Sequence, residues 1–375
     1  MLLSGHSHQA WPDVAREGLV ASFDDSARAV DEKWELAAGR AERVRDGYRA
    51  LLDDPQGEIA LAASTHELVV RWLSALPLAA KPRLVTTEGE FHAIRRQLAR
   101  LAEEGIEIVR VAPEPIATLA ERLAAEIDDR HRPAAALLVS AVYFETARIV
   151  PHLGELASAC VARDVPLLVD AYHALGTIPF SLRAHGLESA LVTGGGYKYL
   201  QLGEGNAFLR LPQGLDLRPV VTGWFAEFAT KTAPKSWDRV EYGAGAEAFG
   251  GATYDPASNY RAARVFDFFV EQGLTPEFLR EVSQHQVGLL ARRFDALDLP
   301  PERIRRRSEV PLAEIAGFLA LEADDAPALS RLLLARGVTS DARGRYLRLG
   351  PAPYLADAQI EGAVEILGEI VRSAG

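Results

Sequence analysis

The sequence predicts an α/β protein: a large domain with a mainly parallel sheet flanked by helices, then a smaller C-terminal α+β domain. Three observations predict it. Short, continuously apolar strands alternate with helical segments from Glu58 to Leu200, the pattern of strands buried on both faces and joined by crossovers. Ser64, Phe91, Asp170 and Lys198 each follow a strand, on four different strands, where open α/β sheets bind ligands. From about Tyr260 the character changes to two long helices, an alternating strand, a helix, a second strand and a last helix. With 375 residues, two domains are expected. The division expected is an N-terminal segment 1–45, a large domain 46–258 and a small domain 259–375.

Composition narrows the partners. The chain is 48% hydrophobic with a net charge of −11, which disfavours nucleic acid or an anionic membrane as partner. One cysteine, Cys160, allows no intrachain disulfide and no cysteine-based metal cluster, and no metal site is expected. Met1–His6 lacks a basic segment followed by an apolar core, so no signal peptide is read. No apolar run approaches roughly 18 residues. A cytoplasmic protein acting on a small molecule is expected.

The elements follow in order. Ser4–Pro12 holds His6, His8 and Trp11 without a helical or strand period, and reads as a polar surface segment or as pocket lining. A helix is expected from about Asp13, and another over 31–53 with Val44, Tyr48 and Leu51 on one face. Glu58–Ala63 is a short buried strand running into Ser64-Thr65 and an amphipathic helix. Hydroxyls there either cap the helix or, with its free N–H groups, seat a phosphate. Arg83–Thr87 is a strand, with Phe91 in the loop after it, either stacked on a flat ring or tucked into core. Strands at Ile106–Val111 and Ala134–Val142 alternate with helices at Ile116–Ile127 and Leu153–Arg163.

Two stretches then carry the chemistry. Pro166-Leu-Leu-Val-Asp-Ala-Tyr-His173 is a buried strand ending in a carboxylate. Leu191-Val-Thr-Gly-Gly-Gly-Tyr-Lys-Tyr-Leu200 is a strand running into three glycines and a lysine between tyrosines. Glycines there let the backbone turn and let a ligand approach. The spacing of Asp170 and Lys198 suits one crossover to the neighbouring strand. An acid and a lysine at adjacent strand ends are what a pyridoxal 5'-phosphate (PLP) site needs. The lysine forms the Schiff base, and the acid keeps the pyridine nitrogen protonated. Residues 226–250 read as irregular. Arg348 alternates with Leu347 and Leu349 just before Gly-Pro, suited to grip a carboxylate with its planar fork, or else a solvent-exposed edge arginine.

These residues carry a resemblance. Through Asp170-Ala-Tyr-His173, Tyr197-Lys198-Tyr199-Leu200, Gly223-Trp224-Phe225 and Leu347-Arg348-Leu349-Gly350, the chain resembles the class V, fold-type-I PLP-dependent enzymes over nearly its full length. Within them it looks most like kynureninase. Ser64-Thr65 and Gly251-Ala-Thr253 add to the match. The resemblance implies Lys198 as Schiff-base lysine and α-proton base, Asp170 on the pyridine nitrogen and Phe91 on the ring. It implies Ser64, Thr65 and Tyr197 on the phosphate, and His173 beside the cofactor. Trp224 would also reach it, and Thr253 would do so from the other subunit of a homodimer. Arg348 would hold the substrate carboxylate, and Tyr197 beside the lysine would serve as acid/base. The implied reaction is hydrolysis of the Cβ–Cγ bond of kynurenine or a related amino acid, releasing alanine. Departures cluster near the substrate: His92-Ala-Ile where the family shows Pro-Thr-Asp, Ala226-Glu227 for Gly-His, and Gly5-His-Ser-His8 for a Gly-Asn-Ser-Leu-like segment. They keep a class V aminotransferase or amino-acid lyase open as the alternative, and a non-catalytic PLP-binding protein behind it.

Overall fold

Seven strands build the main sheet: β1 (Glu58–Ala62), β2 (Arg83–Thr87), β3 (Glu107–Val111), β4 (Ala136–Ser140), β5 (Leu167–Asp170), β6 (Leu191–Gly194) and β7 (Ala207–Leu211). A computed structural model describes residues 1–129, 131–230 and 237–373. The spatial order is β1-β7-β6-β5-β4-β2-β3. Strands β2 to β6 run parallel. β7 alone is reversed, antiparallel to both β6 and β1, because residues 195–206 contain no crossover helix to carry the chain back. β1, expected as a buried strand, is an edge strand with only Ile59 and Ala60 buried.

Helices cover both faces, as continuous apolar strands require. They are α1 (Val14–Ala29), α2 (Lys33–Leu51), α3 (Thr65–Ala75), α4 (His92–Glu103), α5 (Leu119–Ile127), α6 (Leu153–Ala162), the single turn α7 (Leu182–His185) and α8 (Ala257–Glu271). Leu137 and Val139 of β4 face the layer with α5, α6 and α8. Ala136 and Leu138 face the layer with α3 and α4. Each fully buried leucine contributes about 1.5–3 kcal/mol, so the central strands anchor the sheet. α8 packs on α1 and α2 and adds Ala262, Val265 and Phe266 to the first layer.

The C-terminal unit holds α9 (Pro276–Asp295), β8 (Ile304–Arg306), β9 (Leu319–Ala323), α10 (Ala326–Ala335), β10 (Asp341–Arg343), β11 (Tyr346–Leu349) and α11 (Asp357–Ser373). Its sheet is antiparallel in the order β10-β11-β9-β8. β9 shows the alternating burial its sequence predicts. β8 and β10 are too short to display a period, and sequence reading passes over both. Residues 2–5, the last two of which open the segment 4–12 read as having no helical or strand period, lie beside this sheet. Leu3 and Gly5 donate their N–H groups to Thr339 and Gly350 O, and Gly350 N–H returns to Leu3 O. Within the stretch read as irregular, Trp224–Thr230 and Gly245–Phe249 are 3-10 turns; 231–236 lie outside the described residues. Among the described residues no helix is long and apolar enough to cross a membrane.

Candidate active site

Parallel register sets the site. Ser140, Asp170 and Thr193 stand side by side at the carboxyl ends of β4, β5 and β6. After β6 the chain turns through Gly195 and Gly196 to Lys198. These glycines serve neighbouring side chains: a Cβ on Gly195 would collide with Tyr172, and one on Gly196 with Leu202. A cavity of about 300 Å³ opens over these strand ends, lined among others by Ser64, Thr65, Phe91, Asp170, His173, Tyr197 and Lys198. Seven side chains expected to meet a cofactor thus meet in one place.

Lys198 is 7% exposed. Its Nζ donates to His6 O at 3.3 Å and sits 5.2 Å from the Tyr197 ring, 5.6 Å from Tyr172 and 5.9 Å from Phe91. Burial, then the charge of Arg348, pulls the amine down to about 7, against the opposite pull of Asp170 and Asp341. A lysine so tuned has an appreciable unprotonated fraction at neutral pH, which makes it a nucleophile toward an aldehyde. Uptake of PLP by the apoprotein is therefore expected to accelerate as pH rises through about 7 and to level off above it, when followed by growth of near-visible absorption. A rate still climbing about tenfold per pH unit beyond pH 8 would mean an ordinary lysine.

Asp170 opens onto the cavity and accepts Tyr172 N–H at 2.8 Å. Burial lifts its carboxyl to about 6, although the Tyr172 bond and the charge of Lys198 work against this. An acid held that way gains most from a cationic N–H partner. Behind it stands Glu90, which sequence reading missed. Glu90 is 2% exposed and accepts from Thr87 Oγ1 at 2.5 Å, Ser140 Oγ at 2.6 Å and Ser140 N–H at 3.2 Å. Burial raises it to about 7 against those bonds, and the charge of Asp170 adds to the rise. The signal was present as an acid one residue before Phe91, but its neighbour on β4 is visible only in three dimensions.

The remaining expected residues divide. Ser64 Oγ accepts Glu67 N–H at 3.3 Å and caps α3, so the cap reading holds, and the same turn lines the cavity. His173 is buried, its Nδ1 has no partner among the described residues, and burial followed by the charges of Lys198, His6 and Arg348 keeps it neutral. Burial also raises Tyr197, so it holds its proton at neutral pH. Trp224 lies outside this cavity: it is 53% exposed and does not line it. Its Nε1–H donates to Thr253 Oγ1 at 3.3 Å. Both lie on an outer patch with Phe225, Phe228 and Tyr254, so neither reaches the pocket of its own chain.

Arg348 is neither an exposed edge residue nor a cavity-lining one. It is 3% exposed. Its Nε donates to Asp341 Oδ1 at 2.7 Å, its Nη2 to Asp341 Oδ2, and its Nη1 to Phe144 O. Antiparallel pairing of β10 with β11 puts Asp341 opposite Arg348. His6, read as surface or lining, is fully buried. Its Nε2 lies 3.0 Å from Asp341 Oδ1, and its ring lies 4.6 Å from Phe318. Burial opposes ionisation of Asp341, but the bonds and charges of His6 and Arg348 hold its carboxyl well below the usual range. Asp341 was missed because only the hairpin brings it to Arg348. His8 stays exposed and stacks on Tyr197 at 5.0 Å.

No family model matches the sequence. The chain is 22% identical, over 95% of each chain, to the uncharacterized aminotransferase YcbU of Bacillus subtilis (strain 168). It superposes on the apo cysteine desulfurase of Thermococcus onnurineus NA1 with a TM-score of 0.81 and 14% identity, covering 100% of this chain and 95% of that one. It superposes on the cystine C–S lyase C-DES, in complex with cysteine persulfide, with a TM-score of 0.82 and 16% identity, covering 98% and 97%. The fold is that of the class V, fold-type-I PLP-dependent enzymes.

Proposed function

We propose that the protein is a class V-type PLP-dependent enzyme that acts on an amino acid. The observation that carries this reading is Lys198, a buried amine lowered to about 7, sharing one cavity with Asp170 at the end of the adjacent strand. The residues fit the cofactor: His173, whose buried Nδ1 has no partner among the described residues, lines a cavity that also offers an aromatic face, a buried acid and the first turn of a helix. When bound, PLP supplies an electron sink for charge developing at the substrate. Lys198 would hold the cofactor and move the α-proton. Asp170 would keep the proton on the ring nitrogen, and Phe91 would cover the ring. The turn at Ser64 and Thr65 would take the phosphate. Tyr197, protonated at neutral pH, is the candidate acid beside the lysine. Arg348, buried beside the cavity-lining Phe144, whose O takes its Nη1, would meet the substrate carboxylate with the guanidinium N–H groups left over from Asp341 and Phe144 O. A second copy of the chain would cover the Trp224–Tyr254 patch and bring Thr253 to the partner site. The cytoplasm is the compartment we assign.

Two reactions compete within this class. Kynureninase-like hydrolysis of a Cβ–Cγ bond rests on the Tyr-Lys-Tyr-Leu and Gly-Trp-Phe stretches. Transamination or another amino-acid cleavage is favoured by the likeness to an aminotransferase and a C–S lyase. A cysteine desulfurase using its own persulfide is disfavoured. The single cysteine, Cys160, is buried in α6, where burial pushes its thiol up to about 12, and it does not line the cavity.

One experiment separates these. Purified protein is given PLP, its absorption recorded, and L-kynurenine added while anthranilate fluorescence and alanine are followed. Anthranilate with alanine establishes the hydrolytic reading. A yellow protein that leaves kynurenine intact, but forms keto acid or sulfide from a panel of amino acids, establishes the alternative. A protein that never turns yellow overturns the assignment built on Lys198.

A further inference from the structure

The N-terminal segment reaches the site from the small domain. Residues 1–5 run alongside Thr339 and Gly350 through four backbone hydrogen bonds and deliver His6 to a fully enclosed position. There the residue does two things at once. Its backbone O accepts from Lys198 Nζ at 3.3 Å, and its Nε2 meets Asp341 Oδ1 at 3.0 Å. Asp341 is the same carboxylate that takes Nε and Nη2 of Arg348. An ionised carboxylate needs a donor, so His6 is the Nε2–H tautomer. Burial keeps it neutral, pushing it down to about 4 against the Asp341 bond. Its other nitrogen, Nδ1, is buried against Gly350, where a Cβ would strike it, and has no partner among the described residues. Gly350 is not in the left-handed region. Its lack of a side chain therefore serves the histidine and not the backbone.

We propose that His6 is a positioning residue for substrate recognition: it fixes Asp341, and Asp341 fixes the Arg348 guanidinium in the orientation that receives an α-carboxylate. The proposal rests on the reading of the cavity as a PLP-dependent amino-acid site. It explains why a buried arginine carries a two-point partner. The carboxylate aligns the planar fork, and a second donor on Oδ1 keeps the carboxylate from turning. It also makes residues 1–6 part of the site, because one residue spans the lysine of the large domain and the arginine of the small one.

The test measures equilibrium binding to the PLP-loaded protein from absorption changes. The probes are L-alanine and ethylamine, the same amine without its carboxylate. His6→Ala is expected to weaken L-alanine binding about tenfold, in line with loss of a hydrogen bond to a charged group. Ethylamine and PLP affinities should stay within about twofold. His6→Asn, whose amide N–H can still reach Asp341, should recover L-alanine binding to within about threefold. Gly350→Ala should copy His6→Ala, and should add nothing in the double variant, since both act on one contact. The proposal is overturned if His6→Ala binds L-alanine like the wild type, if L-alanine and ethylamine weaken together, or if Gly350→Ala adds its full effect without His6. A wild-type protein that takes up no PLP sinks the underlying assignment and this proposal with it. A yellow wild type with an indifferent His6→Ala sinks this proposal alone.

Discussion

Lys198→Ala is expected to yield a folded protein that shows no lysine-dependent near-visible absorption with PLP and no turnover of amino acids. In the proposed function the amine has two tasks, holding the cofactor and moving a proton. Loss of proton transfer alone costs about 10²–10⁴-fold. The reference is the wild-type absorption band under the same PLP concentration, and a variant that stays yellow would refute the assignment. Stability of the apoprotein gives an independent reading. The folded amine is lowered to about 7, below its ordinary value of 10.5. Its charged form is therefore disfavoured by folding, fully below pH 7 and not at all above the unfolded value. Wild-type stability should rise relative to Lys198→Ala between about pH 7 and 10.5, as read from denaturant midpoints. No pH-dependent difference would mean that the amine is solvated.

Asp170→Asn is expected to fold and to bind PLP, yet to lose about 10²–10⁴-fold in turnover. The amide keeps the shape and the bond from Tyr172 N–H, but it cannot hold a proton on a pyridine nitrogen by charge. The surroundings sharpen the expectation. Asp170 is already lifted to about 6 by burial, so a cationic partner is what stabilises its ionised form. Removing its charge should also let Glu90 fall from about 7, because Asp170 contributes to raising it. The measurement is kcat on whichever amino acid proves to be the substrate, with the cofactor spectrum recorded across pH. Near-normal kcat would transfer the role to another group, with Glu90 the first to examine through Ser140.

Much of the site was legible in the sequence because its parts are local to strand ends. Ser64, Phe91, Asp170 and Lys198 each follow an apolar strand, and parallel strands put all such ends on one edge of the sheet. Those four positions needed only periodicity and glycine placement. His173 and Tyr197 came only through the resemblance that the stretches around the acid and the lysine carry.

What the sequence by itself determined is the parallel core, the lysine and acid at adjacent strand ends, and the change of architecture in the C-terminal part. Each is written in hydrophobic period or in residues a few positions apart. What only the tertiary structure decided is the reversal of β7, the isolation of Trp224 and Thr253 from their own pocket, and the burial of Glu90. It also decided the chain of contacts from His6 through Asp341 to Arg348. These depend on segments far apart in one chain meeting through packing, as His6 and Asp341 do across 335 residues. No local pattern encodes which distant backbone will lie beside a given side chain. That is why a histidine in a segment without period turned out to be among the most buried polar residues of the protein.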